Sequence, residues 1–144
     1  MALDGVVSLC RVGGPTLAER VTIARSFWQR FRGLMLRREL PPGEGLYLPG
    51  SDVHMFFMRF PIDCLFLAPP TADGVRRAVG LRHGLPPWRG IVWYVRGAAG
   101  VVELPAGTLA AAGVAVGDRF RLEPGPGTHS RAQSNRWTAD QSAS

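Results

Sequence analysis

Short apolar stretches recur along most of this chain, and residues that favour turns, glycine and proline above all, separate them. Apolar runs of four to eight residues between such breakers are typical of buried strands, and apolar–polar alternation is typical of half-buried ones. The pattern predicts strands over residues 6–12, 17–24, 45–48, 52–60, 62–67, 75–81, 91–95, 100–104 and 119–123. In the second of these, alternation places Val21 on the same side as Leu17, Glu19 and Ile23, and Ala18 on the other side.

Residues 26–38 carry the clearest helical pattern. Ser26 and Gln29 have the spacing of a capping box, which satisfies two backbone amides of a first helical turn. At about 100° per residue, five apolar side chains share one face of this helix. They are Phe27, Trp28, Phe31, Leu34 and Met35. A second, shorter helix is predicted over residues 108–112, where Gly113 ends it.

These elements define the fold class and the domain organisation. Many short strands, 18 glycines and 12 prolines predict a mainly β protein, a compact single domain built as a sandwich or a barrel. One helix lies near the N-terminus of this domain and the second precedes the last strand. We expect the domain to span residues 1–124. Residues 125–144 offer little to bury and are expected to form a disordered tail.

The cysteines and the N-terminus bear on the cellular compartment. Cys10 and Cys64 form no CxxC unit, and two reduced apolar side chains are a better interpretation than one buried disulfide. Residues 1–14 lack the basic and apolar regions of a secretion signal. No apolar run approaches the ~20 residues that span a bilayer. The chain is therefore expected to be cytoplasmic, without a membrane partner.

Four motifs follow one another along the chain. They are Arg32-Gly33-Leu34-Met35-x-Arg37, His54-x-Phe56-Phe57-Met58-Arg59-Phe60-Pro61-Ile62-Asp63, Val102-Glu103-Leu104-Pro105-Ala106-Gly107-Thr108 and Gly117-Asp118. Their order and spacing, over residues 16–123, resemble those of DUF192, an uncharacterised family of bacterial and archaeal proteins. The resemblance implies a mainly β, sandwich-like fold with a helix near its start. It supplies no enzyme activity, cofactor or catalytic residue.

Two carboxylates stand inside apolar strands. Asp63 opens the strand over residues 62–67, and Glu103 lies within the strand over residues 100–104. A carboxylate in such a place must be paired or hydrogen-bonded, since burying it alone is very costly. The family that the chain resembles retains both acids and the arginine of the first motif, so the resemblance implies that Arg32 ties the helix to the sheet through these acids. The alternative is a small cleft for an anionic or polar ligand, in which His54 acts as acid or base.

This polar cluster carries the functional hypotheses. Its candidate members, ligand-binding or structural, are Arg32, Met35, Arg37, His54, Met58, Asp63 and Glu103. The chain has no nucleophile elbow, catalytic triad signature or phosphate-binding glycine loop, which favours a non-enzymatic module that binds a small ligand or a protein partner. The alternative is an enzyme of unassigned reaction that uses His54 with Asp63 or Glu103 as acid and base.

A soft-metal site is a further possibility for part of this set. Met35, His54, Met58 and His83 offer the thioether and imidazole ligands that suit copper(I). Methionines beside phenylalanines more often fill a core, and no Met-rich or His-rich repeat supports a metal. We therefore predict no metal and no cofactor.

The charge balance raises a third hypothesis. All 17 basic residues are arginines, against 11 acidic ones, which gives a formal net charge of +6. Residues 20–38 hold six arginines and residues 74–102 hold five, and neither window contains an acid. Tryptophans lie among them, as in surfaces that bind nucleic acid. Because no nucleic-acid-binding motif is present and a GC-rich genome favours arginine codons, a nucleic-acid or acidic partner ranks below the other hypotheses.

Overall fold

The computed structural model of the chain describes residues 5–23, 40–50, 53–54, 60–86, 91–92 and 95–124. The predicted helix over residues 26–38, most of the predicted strand over 52–60 and the predicted tail over 125–144 lie outside these ranges. The described strands are β1 (Val6–Arg11), β2 (Thr16–Ile23), β3 (Glu44–Pro49), β4 (Val53–His54), β5 (Ile62–Leu67), β6 (Arg76–Leu85), β7 (Ile91–Val92), β8 (Gly100–Pro105) and β9 (Arg119–Pro124). A short helix, Thr108–Ala111, precedes β9.

Seven of these strands form a closed barrel in the order β1-β2-β3-β8-β5-β6-β9. The β2–β3 pair is parallel and the other neighbours in the barrel are antiparallel. A parallel pair needs a long crossover connection, and residues 24–43 supply it. β4 and β7 pair with each other in a two-stranded sheet. The prediction of a mainly β, barrel-like fold is confirmed, and so is the short helix before the last strand.

Two apolar layers lie on the two faces of the barrel wall. Buried side chains from all seven strands fill the interior, together with Leu109 of the short helix. A second cluster, which includes Phe66 and Val101, covers the outer face of β3, β5 and β8. All six residues of β5 are buried, because one layer lies on each of its faces. This explains why its sequence is an apolar run that Asp63 alone interrupts.

The simple alternation predicted for residues 17–24 is wrong, because β2 contains a bulge. The pairing of β1 with β2 advances by two residues on β1 and by three on β2. The amides of Glu19 and Arg20 both donate to the carbonyl oxygen of Gly43, each at 3.0 Å. Because of the extra residue, the side chains of Ala18 and Val21 both point into the barrel interior.

The ends of β6 and β7 differ from the predicted ones. The apolar pattern ends at Leu81, but β6 continues to Leu85, which pairs with Ile62 of β5. Residues 82–85 are mostly polar, and their composition alone predicts a loop. They form part of β6 because they pair with the buried strand β5. β7 is described as Ile91–Val92, and Val95, predicted as part of the same strand, is a buried loop residue.

The short helix Thr108–Ala111 closes one end of the barrel. Gly107 precedes it with φ +91°, a left-handed conformation that glycine adopts without strain. Leu109 is fully buried and belongs to the interior cluster, so the helix plugs the barrel with this side chain. No helix in the described ranges is long and apolar enough to cross a membrane.

Tyr47 of β3 makes a contact across the barrel. Arg76 of β6 donates from Nη1 to Tyr47 Oη at 3.0 Å, and its guanidinium lies 5.4 Å from the centroid of the ring. A side chain at Gly100 would collide with the same ring, so glycine leaves the space that the tyrosine occupies. Since β3 and β6 are not neighbours in the barrel, this contact joins strands that no ladder connects.

Candidate ligand-binding cleft and the buried carboxylates

Asp63 supports the short helix from inside the barrel. It lies on β5 opposite Leu104 of β8, on the inward face, and it is fully buried. Its Oδ2 accepts a hydrogen bond from the backbone amide of Leu109 at 2.9 Å, and its Oδ1 accepts one from the amide of Gly84 at 2.8 Å. The Leu109 amide belongs to the first turn of a helix, where amides have no intrahelical partner. Asp63 thus joins β5, β6 and the helix.

Glu103 lies on the opposite face of the same strand pair. It pairs with Cys64 of β5 and with Leu46 of β3. Cys64 belongs to the outer apolar cluster and Leu46 packs against it, so Glu103 points into that layer. Glu103 is fully buried and takes part in a polar or electrostatic interaction. Arg32, its predicted partner, lies outside the described residues, so the tie between them stays a prediction.

The predicted polar cluster is therefore divided between two faces. Asp63 and Glu103 point to opposite sides of the barrel wall, because cross-strand partners share a face and successive residues alternate. His54 belongs to β4, where its backbone pairs with Ile91 of β7. The members outside the described residues are Arg32, Met35, Arg37 and Met58. A single site built from both buried carboxylates does not exist in this fold.

Arg11 holds the other end of the short helix, a role that its sequence position did not suggest. Its Nη1 donates to the carbonyl oxygen of Ala112 at 2.8 Å, and its Nη2 donates to that of Gly113 at 3.3 Å. The same Nη2 lies 2.5 Å from Asp118 Oδ2, which also accepts the amide of Ala115 at 2.8 Å. Asp118 is part of the last of the four motifs, and this was the only sequence signal for the contact.

Replacing Arg11 by methionine should lower the free energy of unfolding by about 1–3 kcal/mol, since hydrogen bonds from a charged group to the helix end are lost. Urea denaturation of the full chain measures this change. The matched control is Arg20→Met, which removes an exposed arginine of β2 and should cost less than about 0.5 kcal/mol. Equal losses in the two variants would contradict the role assigned to Arg11.

An open cleft lies beside the short helix, next to the β1–β2 turn and the connection into β3. Its volume is about 540 Å³, within the size range of pockets that bind small molecules. The lining residues are Pro15, Thr16, Leu17, Pro42, Gly43, Pro105, Ala106, Gly107, Thr108, Ala111 and Ala112. None of them is ionisable. The hydroxyl of Thr108 donates to the carbonyl oxygen of Pro105 at 2.7 Å, which fixes one polar group of the lining.

The two cysteines have different surroundings. Neither forms a disulfide, as the sequence predicted. Cys64 is fully buried in the outer cluster, whereas Cys10 is half-buried and its setting is not the apolar one predicted. The Cys10 Sγ lies 3.5 Å from Glu123 Oε2 and 3.7 Å from the hydroxyls of Ser8 and Thr16.

The described side chains form no metal-binding site. No group of three or more His, Cys, Asp and Glu residues in the described ranges could hold a metal ion. His83, one of the four possible copper ligands, is exposed on β6. The side chains of the other three lie outside the described part of the chain.

These features define a small closed β-barrel, plugged at one end by a helix that Asp63 and Arg11 hold in place. Beside that helix lies a cleft whose described lining residues include no ionisable group. The chain matches the DUF192 family model, described as "Uncharacterized ACR, COG1430", over residues 9–122. The chain belongs to this family, as its motifs indicated.

Proteins of other organisms are similar to this chain in sequence or in fold. A UPF0127 protein of Thermococcus sibiricus (strain DSM 12597 / MM 739) is 35% identical over 117 residues, which cover 76% of this chain and 70% of the relative. A solved structure from Sinorhizobium meliloti 1021, of a protein proposed to be a transcription regulator, is 28% identical with a TM-score of 0.64 and covers 85% of this chain and 98% of its own. A protein of unknown function from Novosphingobium aromaticivorans DSM 12444, 23% identical over 81% of this chain and 83% of its own, has the same fold with a TM-score of 0.64.

Proposed function

We propose that this protein is a non-enzymatic binding module, and that it holds a small, uncharged and largely apolar ligand in the cleft beside the short helix. The observation that carries the proposal is the lining of this open cleft of about 540 Å³, in which none of the described residues has an ionisable side chain. Acid–base and nucleophilic catalysis need such side chains, whereas binding an apolar molecule does not.

The short helix forms one wall of the cleft and is held in place at both of its ends. Asp63 accepts the Leu109 amide near its start, and Arg11 donates to the Ala112 carbonyl after its last turn. Leu109 itself anchors the helix in the barrel interior. A wall fixed in this way loses little conformational entropy on binding, which favours affinity.

The polar groups of the lining indicate the chemistry of the ligand. The Thr108 hydroxyl donates its proton to the carbonyl oxygen of Pro105. The hydroxyl oxygen can therefore still accept a hydrogen bond from a ligand in the cleft. A ligand with one hydroxyl or amide donor on an apolar body would fit this arrangement. A charged ligand would lose its hydration without gaining an ion pair, which is costly.

The enzyme hypothesis has less support from the same geometry. Both oxygens of Asp63 accept backbone amides, so this carboxylate is engaged in holding the fold. Glu103 points into the outer apolar layer, on the other side of the wall. His54 could therefore act with one of these acids at most.

Filling the cleft should weaken ligand binding without unfolding the barrel. Ala111→Trp places an indole in the cleft, and we expect it to weaken binding of the neutral dye Nile red by about tenfold or more, which corresponds to about 1.4 kcal/mol. Dye fluorescence titration against the full chain measures the affinity.

The matched control for this experiment is Ala110→Trp, because Ala110 is an exposed alanine of the same helix that does not line the cleft. It should bind the dye as the unchanged protein does. Weakening of equal size in both variants, or no dye binding by the unchanged protein, would contradict the proposal. Thermal melting of each variant shows that both are folded.

A further inference from the structure

The barrel closes at a seam between β6 and β9 that is shorter than the other strand pairings of the barrel. Its ladder consists of two residue pairs, Arg76 with Phe120 and Arg77 with Arg119, whereas each other pair of neighbours is joined by at least four. Two further bonds connect Ala78 with the turn before β9, at 2.8 and 2.9 Å. The closure of the barrel thus depends on few contacts.

Two positive charges face each other across this seam. Arg77 and Arg119 are direct cross-strand partners, so their side chains leave the sheet on the same face, and both are exposed. Among the described residues, neither guanidinium belongs to an ion pair. Like charges in such positions repel, which weakens the pairing that they flank. An anion bound between them would remove this repulsion.

The neighbouring charges leave the outer face of the seam positive. Arg121 follows two residues after Arg119 on the same face of β9, and its Nη2 lies 3.6 Å from the exposed carboxylate of Asp73. The pKa of Asp73 is lowered, first by the hydrogen bond from the Thr71 hydroxyl and to a smaller extent by Arg121, so this carboxylate offsets one of the three arginines.

Two other arginines near the seam are used within the fold. Arg76 donates to Tyr47, and Arg11 is paired with Asp118. Glu123, the next residue on the outer face of β9, has its Oε2 within 3.5 Å of Cys10. The outward charge that remains without a described carboxylate partner is therefore that of Arg77 and Arg119.

We propose that this arginine seam, defined as Arg77 and Arg119, binds the phosphate backbone of a nucleic acid. Arginine presents a planar fork of donors that fits phosphate oxygens. The Cβ atoms of directly opposed cross-strand residues lie about 5 Å apart, so Arg77 and Arg119 can reach the same phosphate or two neighbouring ones. The net charge of +6 adds a long-range attraction for a polyanion.

The test follows binding of a fluorescein-labelled 20-base-pair DNA duplex to the full chain by anisotropy, between 50 and 200 mM salt. For backbone contacts, the logarithm of the affinity falls linearly with the logarithm of salt concentration, and each lost contact reduces the slope by about one. We expect Arg77→Gln and Arg119→Gln each to reduce the slope by about one. Arg20→Gln removes the same charge from β2 and should change the slope by less than half as much.

A second measurement, of the melting temperature, tests the seam itself and does not depend on DNA binding by other basic segments of the chain. Without DNA at low salt, Arg77→Gln should raise the melting temperature, because the repulsion across the seam is removed, while DNA should stabilise the unchanged protein more than this variant. Equal slope changes in all three variants would overturn the proposal. So would equal competition by poly-glutamate or by phosphatidylserine vesicles at the same charge concentration, because the seam would then accept an acidic protein or a lipid surface.

Discussion

Asp63→Ala should lower the free energy of unfolding by about 3–5 kcal/mol. The carboxylate accepts two backbone amides from different parts of the chain, and hydrogen bonds to a charged group contribute about 1.5–3 kcal/mol each. The substitution also leaves the buried amide of Leu109 without an acceptor. Urea denaturation, followed by tryptophan fluorescence and circular dichroism in parallel, measures the loss and shows whether unfolding stays two-state.

Two further variants separate this role from a general effect of removing charge. Asp63→Asn keeps one acceptor oxygen but turns an NH₂ group toward an amide, and should cost about 2 kcal/mol. Glu19→Ala removes an exposed carboxylate of β2 and should change stability by less than about 0.5 kcal/mol. If Asp63→Ala were no more destabilising than Glu19→Ala, Asp63 would not be the support of the short helix.

The need of Asp63 for partners could be predicted from sequence, but the identity of the partners could not. A carboxylate within an apolar strand has to be satisfied, and this rule holds whatever the fold is. The donors are the amides of Gly84 and Leu109, 21 and 46 residues away along the chain. Every residue except proline carries such an amide, so nothing in the side chains marks these two as partners.

The faces of the two buried acids were likewise beyond the sequence pattern. A run that is apolar on both faces, such as Ile62–Leu67, shows no periodicity that tells its inward from its outward residues. The registers of β5 with β8 and of β3 with β8 decide that Asp63 faces inward and Glu103 outward. The bulge in β2 was missed for a related reason, because its extra residue is visible only against the partner strand.

The arginines illustrate the same limit in the charge pattern. Arg11 and Arg77 both lie in predicted strands, a few residues from a turn that contains glycine. In the fold, Arg11 reaches the end of the short helix and Asp118, whereas Arg77 faces Arg119 across the closing seam. Arg11 holds the short helix in place, whereas Arg77 is an exposed charge. Only the order of the strands in the barrel distinguishes the two.

Three of the four motifs that indicated the family contribute residues to the plugged end of the barrel. Asp63 ends the second motif, Thr108 ends the third, and Asp118 ends the fourth, and all three lie at or beside the short helix. Their contacts hold the helix and shape the wall of the cleft. The third motif also supplies part of the cleft lining itself, namely Pro105, Ala106, Gly107 and Thr108.

Leu109→Ala should be as damaging as the loss of Asp63, at about 2–5 kcal/mol. The Leu109 side chain is fully buried in the barrel interior, and its removal leaves a cavity that a closed barrel cannot collapse to fill. Its backbone amide remains in place for Asp63, so this variant removes the plug while keeping the hydrogen bond that positions it.

The matched control for the plug is Val116→Ala, which shortens an apolar side chain that is 63% exposed in the turn between the helix and β9. It should cost less than about 0.5 kcal/mol. Native-state hydrogen exchange adds a local readout. Since Leu109→Ala loosens the helix first, the amide of Leu109 should lose more protection than the amides of β1 and β9, which pair with each other in the barrel wall. A uniform loss across all three elements would instead mean that Leu109 stabilises the barrel only as one more core residue, and that the helix is not its plug.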